Sequence, residues 1–444
     1  MKKVVLFSLL LLLGGLLPGQ DSGGGTECLL LRGGNLAVSP GKVLEKTDLL
    51  IQDGLIVEIG KNLHAPWDAK VLDCRGMWIY PGFVHIASRT GLRTAGNPNL
   101  DPAAVLSADP ATWKRFLKAG FTTVGIMGRG RGMTGKVAVI RPWGRNREEM
   151  IRIRCAAVAF GAGGDGVTAR SVVKILQAGK KELERRKKEA EAKAKAAAAG
   201  KKKAASKPAS RPSGKGGKKK KEEEGKKPSP KPKSSAGNPP KKPARPAPSR
   251  KRPSKARPPA MILLAAEVME GKIPAFVEVA GPTGFLYLQK ALGDLRPPML
   301  LFADRPPRSE PPLSILASRL KALGASVVVP VGLAQVPFER ALTNPALEFE
   351  RAGVEFLLQP GEGSSLGDFR LRLIRLAKYG LKPASVLAAI TTRPARWLGM
   401  ADRIGTLEKG KIADLVLFSG KFLDVEARLL RVLIEGRTVY EFKK

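Results

Sequence analysis

Histidine is nearly absent from this sequence: only His64 and His85 occur among 444 residues. A site that needs three or more imidazole ligands is therefore excluded. Cysteine is also scarce, and Cys28, Cys74 and Cys155 provide neither a disulfide framework nor a C-x-x-C metal pair. Buried free thiols are the simpler interpretation, but a bridge between Cys28 and Cys74 stays open because both flank one predicted β region.

Long apolar runs are absent beyond the N-terminus. The chain begins with Lys2 and Lys3, continues with an apolar run at 4–13 and reaches a stretch with glycine and proline that ends near Gly19. This order is typical of a secretory signal peptide, and the run is too short to span a bilayer. The sequence therefore predicts a signal peptide at 1–19 and an exported protein, periplasmic or extracellular, that is not transmembrane.

Negative charge is scarce in residues 180–260, where 30 Lys and Arg stand against 7 Asp and Glu. This basic insertion holds more than half of the excess charge of +39. Its first part, KKELERRKKEAEAKAKAAAA, has the Glu/Lys spacing and alanine content of a solvated helix. Beyond Gly200 large apolar side chains are almost missing, so the segment cannot offset its ordering entropy and is predicted to be disordered.

Two interpretations of the basic insertion stay open. Either it is a solvated low-complexity segment without a specific partner, or it makes weak contact with an anionic surface or polyanion, since clustered cations release counterions from a polyanion. Aromatic side chains do not interleave with the cations, so a stacking platform for single-stranded nucleic acid is missing. We therefore expect no specific nucleic-acid binding.

Both ends of the chain have the pattern of β structure. Residues 28–80 contain short β-rich runs separated by glycine turns, among them Asp53-Gly54, which is a strong hairpin signal between apolar runs. Residues 401–444 have the same pattern of short β-rich runs, with a turn at Glu435-Gly436. Neither end has enough strands to fold alone, so we expect a small composite β-sandwich domain built from both ends.

Between these ends, apolar β-rich runs alternate with helical stretches, which predicts an α/β fold with a parallel sheet. Seven runs are strand candidates: WIYPGFVHI, FTTVGIM, IRCAAVAF, IPAFVEV, PMLLFA, SVVVPV and VEFLLQ. Residues 81–179 and 261–400 together comprise 239 residues, which suits a (β/α)8 TIM-like barrel. One of the expected eight strands is not identified.

Several of these segments resemble the amidohydrolase superfamily, in its imidazolonepropionase-like branch. The most specific are IQDGLIVEIG, LDCRGMWIYPGFV, LKAGFTTV, EGKIPAFVEV and the tail GLKPASVLAAITTRPARWLGMADRIGTLEKGKIADLVLF. The tail contains the family's Gly-x-Leu-x-x-Gly-Lys-x-Ala-Asp-Leu-Val pattern at 405–416. These tail residues are structural, because they return the chain from the barrel to the β domain.

The resemblance implies a site with one or two divalent metals, zinc or another, at the C-terminal ends of barrel strands. The family places His-x-His on strand 1, one histidine each on strands 5 and 6, and an aspartate on strand 8. In this sequence the two strand-1 ligand positions hold Ala87 and Arg89, and His85 takes the place of a preceding aspartate. The strand-5 and strand-6 positions correspond to Glu278 and Asp304. The ordinary metal site is therefore missing.

The strand-8 position falls on Gly361 or a neighbour, with Glu362 one residue beyond. We expect a candidate ligand-binding pocket formed by His85, Arg89, Glu278, Asp304 and Glu362. In this hypothesis Arg89 pairs with carboxylates and replaces the missing metal charge, so no metal ligand and no cofactor is predicted. Two alternatives stay open: an oxygen-rich Mg, Ca or Mn site, which Arg89 opposes, or unrelated surface residues.

Two further basic features have simple interpretations. The stretch MGRGRGMTGK at 127–136 lacks the spacing of a phosphate-binding loop. We expect a flexible loop at the end of the barrel; a site for an anionic group through Arg129 and Arg131 is the alternative. The arginine-rich helix around 370–375 is expected to be a solvated face.

Two functional hypotheses stay open. The first is an exported protein of amidohydrolase fold that has lost its metal centre and acts as a binding or scaffold protein, with a small-molecule ligand at the barrel end. The second is a hydrolase of carbon–nitrogen bonds other than peptide bonds, such as those of cyclic amides, with altered metal ligands. Motifs that carry a fold persist when site residues do not, so the resemblance alone does not decide between them.

Overall fold

The computed structural model describes residues 28–92, 94, 96–205, 258–304 and 310–442. The expected signal peptide at 1–19 and the part of the basic insertion at 206–257 lie outside these residues. Within the described ranges, no helix is both long enough and apolar enough to cross a bilayer.

Strands from both chain ends form one sheet. They are β1 (Cys28–Ser39), β2 (Lys42–Gln52), β3 (Leu55–Gly60), β4 (Lys70–Asp73) and β5 (Trp78–Pro81), with β16 (Leu415–Phe418), β17 (Leu429–Ile434) and β18 (Arg437–Glu441). Their order is β18-β17-β16-β5-β1-β2-β3, and β4 pairs with β1. The antiparallel pairing of β16 with β5 joins the C-terminal strands to the N-terminal ones. The expected composite β domain is therefore present.

The two predicted hairpins of the β domain are confirmed. Asp53 and Gly54 connect β2 to β3 with positive φ angles of 51° and 77°, and Glu435 and Gly436 connect β17 to β18 with 51° and 74°. The two turns touch, since a Cβ added to Gly54 would lie 2.9 Å from Cβ of Glu435. Glycine is needed at position 54 for this close approach as well as for its φ angle.

The central region forms a nearly closed, eight-stranded barrel-like sheet. Its strands are β6 (Phe83–Ser88), β7 (Phe121–Met127), β8 (Gly132–Ile140), β9 (Ile151–Gly163), β10 (Ala275–Ala280), β11 (Met299–Asp304), β12 (Ser326–Pro330) and β15 (Phe356–Gln359). The short strands β13 (Ala334–Gln335) and β14 (Leu342–Thr343) form a separate two-stranded ribbon. The order in the barrel is β15-β12-β11-β10-β9-β8-β7-β6.

The eighth strand of this barrel differs from expectation. The seven predicted runs supply the seven strands that run in one direction, whereas β8 is antiparallel to both of its neighbours, β7 and β9. The prediction of a flexible loop at 127–136 is therefore wrong from Gly132 onward, where the backbone joins the sheet. The glycine content of this stretch is typical of a loop, but the alternating apolar residues that follow are buried in the barrel.

Helices pack around the barrel. They are α1 (Pro102–Val105), α2 (Pro110–Lys118), α3 (Arg147–Met150), α4 (Gly166–Ala205), α5 (Ala260–Glu270), α6 (Gly281–Leu292), α7 (Ala317–Leu323), α8 (Pro345–Ala352), α9 (Phe369–Lys378), α10 (Pro383–Ile390) and α11 (Thr392–Trp397). The helix predicted at the start of the basic insertion is confirmed as the second half of α4. Its first half crosses α5 closely, because a Cβ at Gly179 would lie 2.5 Å from the carbonyl carbon of Ala265.

Alternate residues of the barrel strands enter two different apolar layers. Phe276, Leu300 and Val328 belong to an inner cluster inside the barrel, whereas Val277 and Leu301 belong to an outer cluster shared with the helices. This alternation is the period of two expected for strands that are buried on both faces. All three cysteines are free thiols, so the Cys28–Cys74 bridge is not formed.

Candidate functional site

A cavity of about 1160 Å³ lies at the barrel mouth, the end of the barrel where β6, β10, β11, β12 and β15 terminate. Its charged lining consists of Arg89, Glu278, Glu310, Glu362, Arg372 and Arg375. Its apolar lining includes Phe302, Leu313, Val328, Val331, Phe338 and Phe349. Three of the five residues expected in the pocket, Arg89, Glu278 and Glu362, therefore face one cavity.

Arg89 and Glu278 form the ion pair that the sequence predicted. Arg89 follows β6 and Glu278 lies on β10, and the guanidinium donates a hydrogen bond to the carboxylate across the mouth. The side chain of Glu278 is only 11% exposed. Arg129, in the turn before β8, places its Nε 3.9 Å from the same carboxylate oxygen. Glu278 is thus held between two guanidiniums, while Arg131 is not part of the cavity wall.

Glu362 joins the loop after β15 to the end of β6. Its carboxylate accepts hydrogen bonds from the backbone N–H of Arg89 at 2.6 Å and from the hydroxyl of Ser88 at 3.1 Å. Beside it, Gln359 donates from Nε2 to the carbonyl oxygen of Ala87 at 2.5 Å, which connects the two strands at the opening of the sheet. The sequence analysis did not identify Gln359 or Ser88, because neither occupies a ligand position of the family pattern.

Two buried polar atoms at the mouth have no hydrogen-bond partner within the described residues. They are Nε of Arg89, a donor, and Oε1 of Gln359, an acceptor. Buried polar atoms are usually paired, because an unpaired donor or acceptor costs about 1–3 kcal/mol. A ligand or water at the mouth can supply both missing partners.

The prediction that His85 belongs to the pocket is wrong. The ring is fully buried outside the barrel, with centroids 5.6 Å from Phe116 and 5.4 Å from Phe121. The pairing of β6 with β7 is irregular between His85 and Ser88, and both Ile86 and Ala87 belong to the inner cluster. This bulge breaks the alternation that would have placed His85 and Ala87 on one face. Burial lowers the pKa of His85 to about 3, so the ring is neutral.

Asp304, the fifth expected residue, is the last residue of β11 and is in register with Ala280 of β10. Its backbone therefore ends at the mouth. The position of its carboxylate lies outside what the structure describes, and its membership of the pocket stays a prediction.

The arginine-rich helix is not a simple solvated face. Arg370 donates to the carbonyl oxygens of Phe422 at 3.2 Å and Asp424 at 2.7 Å, and so attaches α9 to the C-terminal segment. Arg372 and Arg375 line the cavity. Their spacing of three residues places both on one side of the helix, which is the only sequence signal that indicated a shared role.

The residues at the mouth do not fit the divalent metal that the resemblance implies. Arg89 and Glu278 stand at positions where the resemblance implies metal ligands, but they bond each other, so the carboxylate is neutralised by a fixed cation. A second cation, Arg129, approaches the same group. Among the side chains the structure describes, His, Cys, Asp and Glu form no group of three able to hold a metal ion.

Comparisons with known sequences support the resemblance. The model of the Amidohydrolase family matches residues 351–439, which run from the end of α8 to β18. The dihydroorotase of Geobacter sulfurreducens is 33% identical over 102 residues, covering 22% of this chain and 21% of that protein. The imidazolonepropionase of Erwinia tasmaniensis is 40% identical over 57 residues, covering 13% of this chain and 14% of that protein. The chain thus spans about a fifth or less of these curated relatives.

A comparison with solved structures covers nearly the whole chain. An amidohydrolase from Thermotoga maritima MSB8 superposes with a TM-score of 0.66, covering 93% of this chain and 100% of that chain. The sequences are 18% identical over this alignment. At that identity the likeness shows a shared fold, the barrel with its composite β domain, and leaves the reaction open.

Proposed function

We propose that the chain is a member of the amidohydrolase superfamily and that it is a binding protein whose barrel mouth has exchanged a catalytic metal for an ion pair. The observation that carries this proposal is the contact between Arg89 and Glu278. Both stand at positions where the family has metal ligands. A guanidinium paired with a carboxylate places a fixed cation at the mouth without a metal.

The cavity supports binding of a small molecule. Pockets for small ligands commonly measure roughly 300–1,000 Å³ and combine apolar walls with a few polar groups. This cavity has about 1160 Å³, an apolar wall and polar groups concentrated at the strand ends. The unpaired Nε of Arg89 and Oε1 of Gln359 provide a donor and an acceptor for a ligand.

Metal binding tests the proposal most directly. Zn²⁺ and Mn²⁺ are titrated by calorimetry into the full chain without a histidine tag, and the bound metal is then measured by elemental analysis. We expect well under one equivalent of either metal. The matched variant carries Ala87→His and Arg89→His, which restores the strand-1 ligand types, and we expect it to bind more metal than the wild type. One tightly held equivalent in the wild type would refute the proposal.

Hydrolysis of a carbon–nitrogen bond is the second candidate function, favoured by Glu362. This carboxylate is exposed at the mouth, is oriented by Ser88 and Arg89, and lies within the segment that matches the family. A carboxylate in this position can act as a general base toward a water molecule. Incubation with cyclic amides such as hydantoin and 2-pyrrolidinone, followed by chromatography, tests this. Turnover that disappears in Glu362→Gln would favour hydrolysis over binding alone.

We also propose that the protein is exported, because of the order of charged and apolar residues in 1–19. N-terminal sequencing of the mature protein is expected to begin near residue 20. A chain that keeps Met1 in the cell interior would contradict export.

A further inference from the structure

We propose that the part of the cavity wall formed by α9 recognises an anionic ligand with an apolar body, through Arg372 and Arg375. This inference rests on the proposed binding function and names the ligand class for it. The anionic group is a carboxylate, sulfonate or phosphate, since a guanidinium fork binds all three with paired hydrogen bonds.

The positive charge on this part of the cavity wall is poorly compensated. Arg375 has neither an ion pair nor a side-chain hydrogen bond with any residue that the structure describes. The nearest carboxylate to Arg372 is that of Asp368 at 4.0 Å, and this carboxylate is 66% exposed. At the strand ends, in contrast, Arg89 is bonded to Glu278. Among the arginines of the cavity wall, those of α9 therefore carry the positive charge that is least compensated by carboxylates.

The remaining acidic residues of the cavity wall are occupied elsewhere. Glu362 accepts hydrogen bonds from Ser88 and the backbone of Arg89. Glu310 accepts a long hydrogen bond, 3.5 Å, from the backbone N–H of Thr283 at the start of α6. Neither carboxylate is paired with an arginine of α9. A ligand anion that approaches both guanidiniums therefore competes only with the exposed carboxylate of Asp368, 4.0 Å from Arg372, among the described residues.

Much of the remaining cavity wall is apolar. Val331 and Phe338 belong to the segment after β12, Leu313 lies before α7, and Phe349 lies on α8. Phe338 is 97% exposed although it lines the cavity, so its ring is available to cover a bound molecule. A ligand that spans this wall from α9 buries an apolar body, which is favourable at roughly 25 cal/mol per Å².

A pair of fluorescent probes distinguishes the contribution of the ligand's charge to binding from that of its apolar rings. 8-Anilino-1-naphthalenesulfonate and N-phenyl-1-naphthylamine share one ring system, but only the first carries an anionic group. Both are titrated into the full-length chain. We expect the sulfonate to bind about tenfold or more tightly than the neutral probe, which corresponds to one charge-assisted contact.

Variants of α9 then locate the anionic group. Arg372→Ala and Arg375→Ala are each expected to lower the affinity for the sulfonate about tenfold. The affinity for the neutral probe should change by less than about twofold. Lys378→Ala is the matched control, because it removes one positive charge from the same helix outside the cavity wall. It should change neither affinity. Thermal melting of each variant verifies that it is folded.

The outcomes separate this inference from the function on which it rests. Equal affinity for both probes in the wild type overturns the inference but leaves a binding cavity. If Lys378→Ala lowers the affinity for the sulfonate as much as the arginine variants do, the inference is also overturned, because the effect then depends only on the total charge of the protein. Failure of both probes to bind the folded wild type overturns the inference together with the proposed binding function.

Discussion

Arg141, directly after β8 of the barrel, forms an ion pair with Glu435 in the last turn of the β domain, with 2.5 Å between Nη1 and Oε1. The arginine is almost completely buried, at 1% exposure. Arg152 of β9 approaches the other carboxylate oxygen at 3.8 Å, and Asp414 accepts the backbone N–H of Glu435 at 3.0 Å. This charged cluster connects the barrel to the composite domain.

Glu435→Gln is expected to lower the free energy of unfolding by about 1–2 kcal/mol at neutral pH, because Arg141 loses its counter-ion while the exposed part of the glutamate is screened by solvent. Burial tends to raise the pKa of Glu435, but hydrogen bonding and charge from Arg141, with charge from Arg152, outweigh it and hold the pKa below its usual value. The stabilisation is therefore complete above about pH 4.3 and is lost as the pH falls through the folded-state pKa. Denaturant unfolding of both proteins between pH 3 and 8 measures it.

Asp414→Asn is the control, and its pH dependence has the opposite sign. Burial raises the pKa of Asp414, so ionisation at neutral pH opposes folding. The asparagine oxygen still accepts the Glu435 N–H, and the variant should equal or exceed the wild type at pH 7. This advantage should disappear as the pH falls below about 3.9, where the wild-type carboxyl is protonated in both states. If the free energies of unfolding of the two variants changed with pH in the same direction relative to the wild type, the opposite pKa shifts of Glu435 and Asp414 would be contradicted.

A double-mutant cycle at Arg89 and Glu278 tests the pair at the barrel mouth. Arg89→Ala should cost about 1–2 kcal/mol, since Glu278 is mostly buried while Arg89 is partly exposed and Arg129 supplies some charge. Glu278→Gln in the same chain should recover part of this loss, as expected for residues in direct contact. Additive effects in urea unfolding would mean that the two side chains do not interact in solution.

His85→Leu should stabilise the protein by about 1 kcal/mol at pH 7, because neither ring nitrogen of His85 has a partner within the described residues. The folded ring stays neutral down to about pH 3, whereas the unfolded chain takes up a proton below about pH 6.5. Wild-type stability therefore falls between these values, and the advantage of the variant should grow by up to about 1.4 kcal/mol per pH unit. The same pH dependence in both proteins would show that the ring is accessible to protons.

Phe338→Asn should raise the free energy of unfolding by about 0.5–1 kcal/mol, because Phe338 has a φ of 63° that asparagine adopts more easily. The side chain is 97% exposed, so little packing is lost. The neutral naphthylamine probe should nevertheless bind about threefold more weakly, since the apolar cover is gone. A drop in stability with unchanged probe affinity would place the ring against the protein rather than over the cavity.

Removal of residues 201–255 should leave the melting temperature nearly unchanged, because this stretch has almost no apolar side chains to bury. The same variant should lose salt-sensitive retention on a heparin column. A large decrease in melting temperature would indicate that the segment packs on the barrel, and unchanged retention would place the polyanion contact elsewhere.

The sequence predicted the parts of the fold that depend on local pattern. The apolar runs identified seven barrel strands. The strand order implied by the resemblance to the amidohydrolase superfamily, rather than local pattern, brought Arg89 and Glu278 together. The orientation of His85 could not be predicted in this way, because a bulge in β6 depends on the pairing with β7. Arg372 and Arg375 were missed because the exposure of a helix face depends on the loops packed around it.

The antiparallel strand β8 has a consequence for ligand binding. Because β8 runs antiparallel to β7, the chain reverses at the mouth in a hairpin turn, and that turn holds Arg129 beside Glu278. The turn is packed closely, since a Cβ at Gly161 of β9 would lie 1.8 Å from the carbonyl oxygen of Gly130. A charged group fixed in this way loses little conformational entropy when a ligand arrives. The mouth is therefore preorganised, and affinity differences among ligands should arise mainly in their dissociation rates.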